Sequence, residues 1–255
     1  MVDFERFSEG EIPYEKLAQF GLTREMVDDL PSVVQQRMLS SRETPVLPII
    51  TVNQDGEKIK SEARVSLVRM PDGTVDVALS PKWESYDLSA FSDNQQRQLL
   101  GGKVIIADME GKGDCYVQFD EAIQQVMSVP VAVIKQNISL IERNFSISGR
   151  QSEDITKGKI IQMVDERGNI TSLGIDLQAI TGLRAADGDA LNWQREAKAD
   201  QLPEYNFGMY GCWKSDVNGN LSYIAEKDFT PEIDAEMKRV GQQNAAGQQM
   251  RQMHV

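Results

Sequence analysis

The sequence predicts an α+β protein made of small antiparallel β-meanders, each packed with short helices, with an internal duplication. Three observations support this fold class. The apolar period changes from helical to two at Pro45, Asp-Gly turns separate the alternating runs, and a segment that begins at Ser92 recurs from Ser148. The 255 residues are 40% hydrophobic, which suffices for the cores of one or two ordinary domains.

Residues 1–88 are predicted to form an N-terminal helical segment followed by a β-meander. Gly21 is placed to end a first helix in the left-handed conformation, Thr23 caps a second, and Pro31 ends that helix and opens a third. Alternating apolar residues then run from 46 to 80, interrupted by NQDGE and MPDGT. Asp-Gly between such runs is a strong hairpin signal.

Two segments align without gaps when the second is shifted by 56 positions, the distance from Ser92 to Ser148. Each begins with Ser and has Gln three residues later, the pattern of a capping box. Matching positions include Gln95 and Gln151, Gly102 and Gly158, Lys103 and Lys159, and Asp120 and Asp176. We therefore predict two helix-meander repeats, at 89–146 and 147–200, that pack on each other or on the first meander because such small units bury little apolar surface alone.

The last part of the chain is less regular. Residues 201–240 are predicted to contain an aromatic and glycine-rich segment, a hairpin about Asn218-Gly219 and a helix opened by Pro231. Residues 241–255 are rich in Gln, which predicts a disordered tail.

Composition and residue spacing argue against several classes of protein. The net charge of −12 repels nucleic acid and anionic membranes unless a local basic patch overrides it. Cys115 and Cys212 lack the CxxC spacing of a zinc or redox site, the N-terminus lacks an apolar signal segment, and no apolar run reaches the roughly 20 residues that span a bilayer. These features predict a cytoplasmic protein that does not enter a membrane.

The residue combinations of common catalytic and metal-binding sites are also missing from the sequence. The one histidine, His254, falls in the predicted disordered tail, whereas a catalytic triad or a zinc site needs an imidazole held by packing. We therefore expect no catalytic residue, no metal site and no cofactor. Pairs of carboxylates such as Asp28-Asp29, Asp120-Glu121 and Asp165-Glu166 fit turns and helix starts. If they converged on one point, a carboxylate-dependent metal enzyme would be the alternative.

Nucleic-acid binding is a second alternative. The FGLT turn between the first two helices suits a helix-turn-helix, but Glu25, Asp28 and Asp29 on the following helix would oppose DNA phosphates. Four arginines near the first meander could form a basic face for phosphate or could pair with the protein's own carboxylates: Arg37, Arg42, Arg64 and Arg69.

The segment NFGMYGCW is the best positive candidate for a contact surface. Exposed aromatic rings among glycines suit a protein–protein hot spot or base stacking, whereas buried rings would form the core of the C-terminal module. The candidate partner-binding residues are Asn206, Phe207, Gly208, Tyr210, Gly211 and Trp213.

Four stretches of the sequence resemble a known but uncharacterised protein family. FSEGEIPYEKLAQFGLTREMVDDLP with RMLSSRETPVLPI resembles its N-terminal domain, and SDNQQRQLLGGKVIIADM with NFGMYGCW resembles a second domain that often follows. Both domains are of unknown function, and the family is carried by conjugative and other mobile elements of gut bacteria. The resemblance implies a role in the biology of such an element, near its DNA-transfer genes, and supplies no catalytic residue.

We therefore predict a non-enzymatic interaction or adaptor protein of a mobile genetic element, accessory to DNA transfer or processing. A protein partner is expected, for which exposed meander edges could provide pairing strands.

Overall fold

The computed structural model describes residues 7–52, 55–145, 147–198 and 202–252. In these residues the chain forms eight α-helices and four three-stranded antiparallel sheets. The strand order in every sheet follows the order in the chain, so each sheet is a meander. The predicted α+β fold with repeated meanders is confirmed.

The N-terminal module comprises three helices and the first sheet: α1 (Tyr14–Gln19), α2 (Arg24–Asp28), α3 (Ser32–Leu39), β1 (Leu47–Val52), β2 (Lys58–Arg69) and β3 (Val75–Pro81). Gly21 has a φ of 79° and follows α1, as its sequence context predicts. The Thr23 side chain accepts a hydrogen bond from the Met26 amide and caps α2. Local sequence signals therefore set both helix boundaries.

Two similar units follow. The first copy contains α4 (Asp93–Leu100), β4 (Ile105–Met109), β5 (Gly113–Asp120), β6 (Gln125–Pro130) and α5 (Val131–Phe145). The second copy contains α6 (Gly149–Thr156), β7 (Ile161–Val164), β8 (Ile170–Ile175), β9 (Leu183–Asp187) and α7 (Ala190–Lys198). Each unit is therefore a helix, a meander and a second helix.

The two copies share their details. Ser92 and Ser148 both form capping boxes with the glutamines that follow. Ile105 pairs with Val117 in one copy, and at the equivalent positions Ile161 pairs with Leu173 in the other. The third strands differ by one residue in register, because Val117 pairs with Ser128 whereas Leu173 pairs with Ala185. The turn before the third strand is therefore one residue longer in the second copy.

Helix α5 has no counterpart in the sequence-based prediction. Its start, VAVI, is β-branched and resembles a strand, but Pro130 stands immediately before it, a position at which proline favours a helix start. Ile134, Ile138 and Ile141 recur at helical spacing and are all buried. They pack with residues of the second copy, so burial outweighs the local preference for a strand.

The C-terminal part contains the fourth sheet and the last helix: β10 (Tyr205–Phe207), β11 (Gly211–Ser215), β12 (Leu221–Ala225) and α8 (Pro231–Gln252). The hairpin about Asn218-Gly219 is present, and β10 adds a third strand that the sequence did not indicate. The α8 backbone reaches Gln252, within the tail for which disorder was predicted. His254 lies outside the described residues. Within the described ranges, no helix is long and apolar enough to cross a membrane.

The hydrophobic cores join elements that are distant in the chain. Trp213 and Leu221 of the C-terminal sheet are buried in the same cluster as Leu17 and Val34 of the N-terminal module. Tyr116 of the first copy is buried with the residues of the second. The C-terminal sheet therefore packs as part of the N-terminal module, and the two copies pack on each other.

Candidate functional site

The turn between β10 and β11, which we call the tip (residues 208–210), contains three of the eight residues of the predicted partner-binding segment. The carboxylate of Asp29, at the end of α2, accepts hydrogen bonds from the Met209 amide at 2.6 Å and from the Tyr210 amide at 3.0 Å. The Gly208 amide donates to the Gly211 carbonyl at 2.9 Å. All three tip amides are therefore bonded, and the tip is held in one conformation.

Both glycines of the segment are required by close packing. A Cβ atom at Gly208 would lie 2.2 Å from Cγ of Asp29, and one at Gly211 would lie 2.5 Å from the carbonyl oxygen of Ile224. Separations below 3.0 Å are not tolerated by real Cβ atoms. Gly208 thus lets the tip approach Asp29 of the N-terminal module, and Gly211 lets β11 lie close to β12.

Asp29 is the centre of this contact and is only 6% exposed. Its carboxylate also accepts a hydrogen bond from the Tyr223 hydroxyl at 2.7 Å. Burial, followed by this bond to Asp29, raises the pKa of Tyr223 above its ordinary value. In the helix-turn-helix hypothesis Asp29 would meet phosphate, but here it is buried among donors of the C-terminal sheet.

The predicted residues divide into a buried set and an exposed set. Trp213 is 0% exposed, and its Nε1 donates to the Met26 carbonyl at 2.9 Å. Gly211 is also buried, so these two residues belong to the core and not to a surface. Side chains alternate across a strand, and this alternation directs Trp213 towards the helices.

The other rings lie on or near the surface. Phe207 is half-buried, and its ring stacks on that of Tyr205 at 6.1 Å and meets the edge of Phe229 at 6.0 Å. Asn206 is also half-buried, and its amide donates to the Pro203 carbonyl at 2.8 Å. These residues shape the strand beside the tip.

The exposed part of the segment is the tip itself. Met209 is 78% exposed and Tyr210 is 44% exposed. The sequence did not single out Met209. Its position between Gly208 and Tyr210 in a strand-to-strand turn is the signal that could have identified it.

A second feature, which sequence reasoning missed, is a buried set of ion pairs where the modules meet. Arg64 on β2 contacts Asp120 at the end of β5, with Nε 2.6 Å from Oδ2 and Nη2 3.1 Å from Oδ1. Nη1 of Arg64 donates to the Thr44 carbonyl, and Asp120 also accepts from Gln178 Nε2 at 3.0 Å. One buried carboxylate therefore joins the N-terminal module and both copies.

The equivalent aspartate of the second copy makes the same kind of pair locally. Nε of Arg184 lies 2.6 Å from Oδ2 of Asp176, and its guanidinium stacks 3.7 Å from the centroid of the Trp193 ring. In the first copy the arginine comes from another module. The recurrence of Asp at the end of the second strand was visible in the sequence, but its partner was not.

Three of the four arginines are engaged within the protein and do not form a basic face for phosphate. Arg64 is paired with Asp120, and Arg69 lies 2.9 Å from Glu11. Arg37 is buried, and this burial lowers its pKa to about 9. Pairing with the protein's own carboxylates is confirmed for Arg64 and Arg69.

A cleft of about 590 Å³ opens beside the Arg64–Asp120 pair, where all four meanders meet. Its walls are mainly polar and include several carboxamide side chains: Gln118, Gln124, Gln178, Asn218 and Asn220. Carboxamide side chains from both repeat copies and from the β11–β12 turn therefore surround one space.

Among the residues that the structure describes, no group of three His, Cys, Asp or Glu side chains could hold a metal ion. Asp165 instead accepts bonds from the Arg167 and Asn169 amides within its turn. Cys212 is buried, which raises its pKa to about 11 and keeps the thiol neutral, as expected for a small core residue.

Part of the chain matches the model of a known protein family. Residues 7–89 match the model of a family described as "Protein of unknown function (DUF4099)". No curated protein matches the chain, and no solved structure does. The matched residues contain α1–α3 and the first meander, so they include both Asp29 and Arg64. The C-terminal sheet therefore completes the core of this module from outside the matched span.

Proposed function

We propose that this protein is a non-enzymatic interaction protein, an adaptor that binds a protein partner through its tip. The observation that supports this most directly is a rigid turn that holds two large side chains in solvent. Met209 and Tyr210 are exposed while their amides are fixed by the buried carboxylate of Asp29.

Preorganisation of this kind favours binding. A loop that is already fixed loses little conformational entropy when a partner covers it. Tyr is enriched at interface hot spots, and Met adapts well to an irregular apolar pocket. The stacked rings of Tyr205 and Phe207 extend the apolar surface next to the tip.

The setting we propose is a mobile genetic element, in which the protein is accessory to DNA transfer or processing. The resemblance of the N-terminal and repeat segments to proteins of such elements supports this setting, and the match to DUF4099 agrees with an uncharacterised domain. Base stacking on Tyr210 would make the protein a nucleic-acid-binding accessory factor, but the net charge of −12 disfavours this alternative.

The test is a pull-down from the native host with the full chain and the double variant Met209→Ala/Tyr210→Ala. Val217→Ala is the matched control, because Val217 is 100% exposed in a different turn of the same sheet. We expect a partner that the wild type and the control retain and the double variant loses, with unchanged melting temperatures. Equal recovery by all three proteins, or no partner above background, would overturn the proposal.

Fluorescence anisotropy with single-stranded and duplex DNA at low salt tests the alternative. Binding that disappears in the Tyr210→Ala variant would support base stacking. No binding would exclude this function, because low salt gives the strongest electrostatic attraction.

A further inference from the structure

The cleft between the four meanders offers hydrogen-bonding groups that the fold itself leaves unused. The charged groups at the floor of the cleft, Arg64 and Asp120, already have hydrogen-bond partners within the protein. Asp120 accepts bonds from Arg64 Nε, Arg64 Nη2, Gln178 Nε2 and the Ala122 amide, and Arg64 Nη1 is bonded to the Thr44 carbonyl. Lys82 and Asp176 also line the cleft but are paired with Glu62 and Arg184, and Glu121 adds one carboxylate. Because the positive charges of the lining are all engaged in pairs, the cleft does not favour an anionic ligand.

Carboxamides also line the cleft, and Gln178, Gln118 and Asn220 are each fixed by a bond at one end. Gln178 uses Nε2 to reach Asp120, which leaves Oε1 as an acceptor in the cleft. Gln118 uses Oε1 to accept from the Leu177 amide, which leaves the two protons of Nε2. Asn220 uses Nδ2 to reach Asp216, and its Oδ1 is buried with no hydrogen-bond partner in the described part of the chain.

These groups are neutral, they include both donors and acceptors, and their directions are set before a ligand arrives. Hydroxyl groups both donate and accept, so a ligand with several of them complements such a set. A volume of about 590 Å³ lies within the range of small-molecule sites.

We propose that this cleft binds a neutral polyhydroxylated ligand, a saccharide of one or two units. The site is independent of the tip, because neither Met209 nor Tyr210 lines it. It draws on β2, both repeat copies and the β11–β12 turn, so occupation would tie the modules together.

The test is a titration of the full chain, labelled with ¹⁵N, with glucose, maltose and N-acetylglucosamine, while the side-chain amide signals are followed by NMR. Inorganic phosphate is the charged comparison. We expect saturable shifts of the Gln118, Gln178 and Asn220 amide signals with at least one sugar and none with phosphate. No saturable shift with any sugar, or an equal response to phosphate, would overturn the proposal.

A blocking variant locates the site. Ala122 lines the cleft and is half-buried, so Ala122→Trp should fill the space and weaken sugar binding by at least about tenfold. Val217→Trp adds the same side chain to a fully exposed turn residue outside the lining and should bind as the wild type does. If Ala122→Trp does not fold, Asn218→Ala replaces it, since Asn218 also lines the cleft and its side chain makes no hydrogen bond within the described ranges. Undiminished binding by the folded cleft variant would show that the sugar binds elsewhere.

Discussion

Arg64 and Asp120 form a bidentate ion pair in which Nε and Oδ2 lie 2.6 Å apart, and both side chains are almost completely buried. The pair joins the N-terminal module to the first repeat copy. Its geometry and the additional bonds to Thr44 and Gln178 satisfy both charges. A buried charge that loses its partner is costly, so this contact should respond strongly to a change on one side.

Replacement of Arg64 by Met should lower the free energy of unfolding by about 3–5 kcal/mol, because it leaves the Asp120 carboxylate buried without a counter-charge. Urea unfolding followed by circular dichroism measures the change. The control is Arg239→Met, since Arg239 pairs with Glu236 on the exposed surface of α8 and should change stability by less than about 1 kcal/mol. Similar losses for both variants would contradict the importance of the buried pair.

Replacement of Asp29 by Ala should destabilise the protein by about 3 kcal/mol, since the Met209 amide, the Tyr210 amide and the Tyr223 hydroxyl all lose their acceptor. Hydrogen exchange at the Met209 and Tyr210 amides should also accelerate. Glu25→Ala, at an exposed position of the same helix, is the control. Unchanged exchange at the two amides in Asp29→Ala would show that Asp29 does not hold the tip.

Substitution of Gly208 by Ala should also separate the tip from α2, because the added Cβ atom would lie 2.2 Å from Asp29 Cγ. We expect a loss of at least about 2 kcal/mol together with the faster amide exchange. Gly149→Ala, where no atom lies within 4 Å of the new Cβ at the start of α6, should be neutral or stabilise by about 0.5–1 kcal/mol. A Gly208→Ala variant as stable as the wild type would contradict this close contact.

Truncation of Trp213 to Ala should cost about 3–5 kcal/mol, since the indole is fully buried between the C-terminal sheet and α2. Trp83→Ala removes the same side chain from an exposed position of the segment after β3 and should cost less than about 1 kcal/mol. Thermal and urea unfolding measure both. If Trp213→Ala retained its stability, the shared core of the N-terminal module and the C-terminal sheet would be disproved.

Glu43 gives a pH-dependent test. Burial raises its pKa, although bonds from Ser80 and the charge of Arg64 oppose this effect, and Asp120 and Asp176 reinforce it. A carboxyl group with a raised folded-state pKa stabilises the fold below its ordinary pKa of about 4.5, and this contribution is lost as the pH rises through the folded-state pKa. Glu43→Gln should therefore gain stability relative to the wild type as the pH is raised from about 4 to 8. Urea midpoints measured across that range check the sign, and a constant difference between the two proteins would contradict it.

Sequence patterns predicted most of the secondary structure because the signals that set it are local. The Thr23 cap, the left-handed Gly21, the Asp-Gly turns and the two capping boxes each act within a few residues, and all are present. The duplication was visible because each copy keeps the same caps, glycines and strand residues. Helix α5 was missed because its β-branched start favours a strand locally, and only burial of Ile134 and Ile138 against the second copy decides in favour of the helix.

The sequence by itself determined the α+β class, the Asp-Gly and Asn-Gly hairpin turns and the capping boxes that begin both repeat copies. Tertiary structure alone decided which residues face solvent and which modules meet. Trp213 and Tyr210 stand three positions apart in one segment, yet one is core and the other surface, because Asp29 and Met26 arrive from a helix more than 180 residues earlier in the chain. Contacts of that separation leave no local pattern, since each partner is chosen by the packing of whole modules and not by its neighbours in sequence.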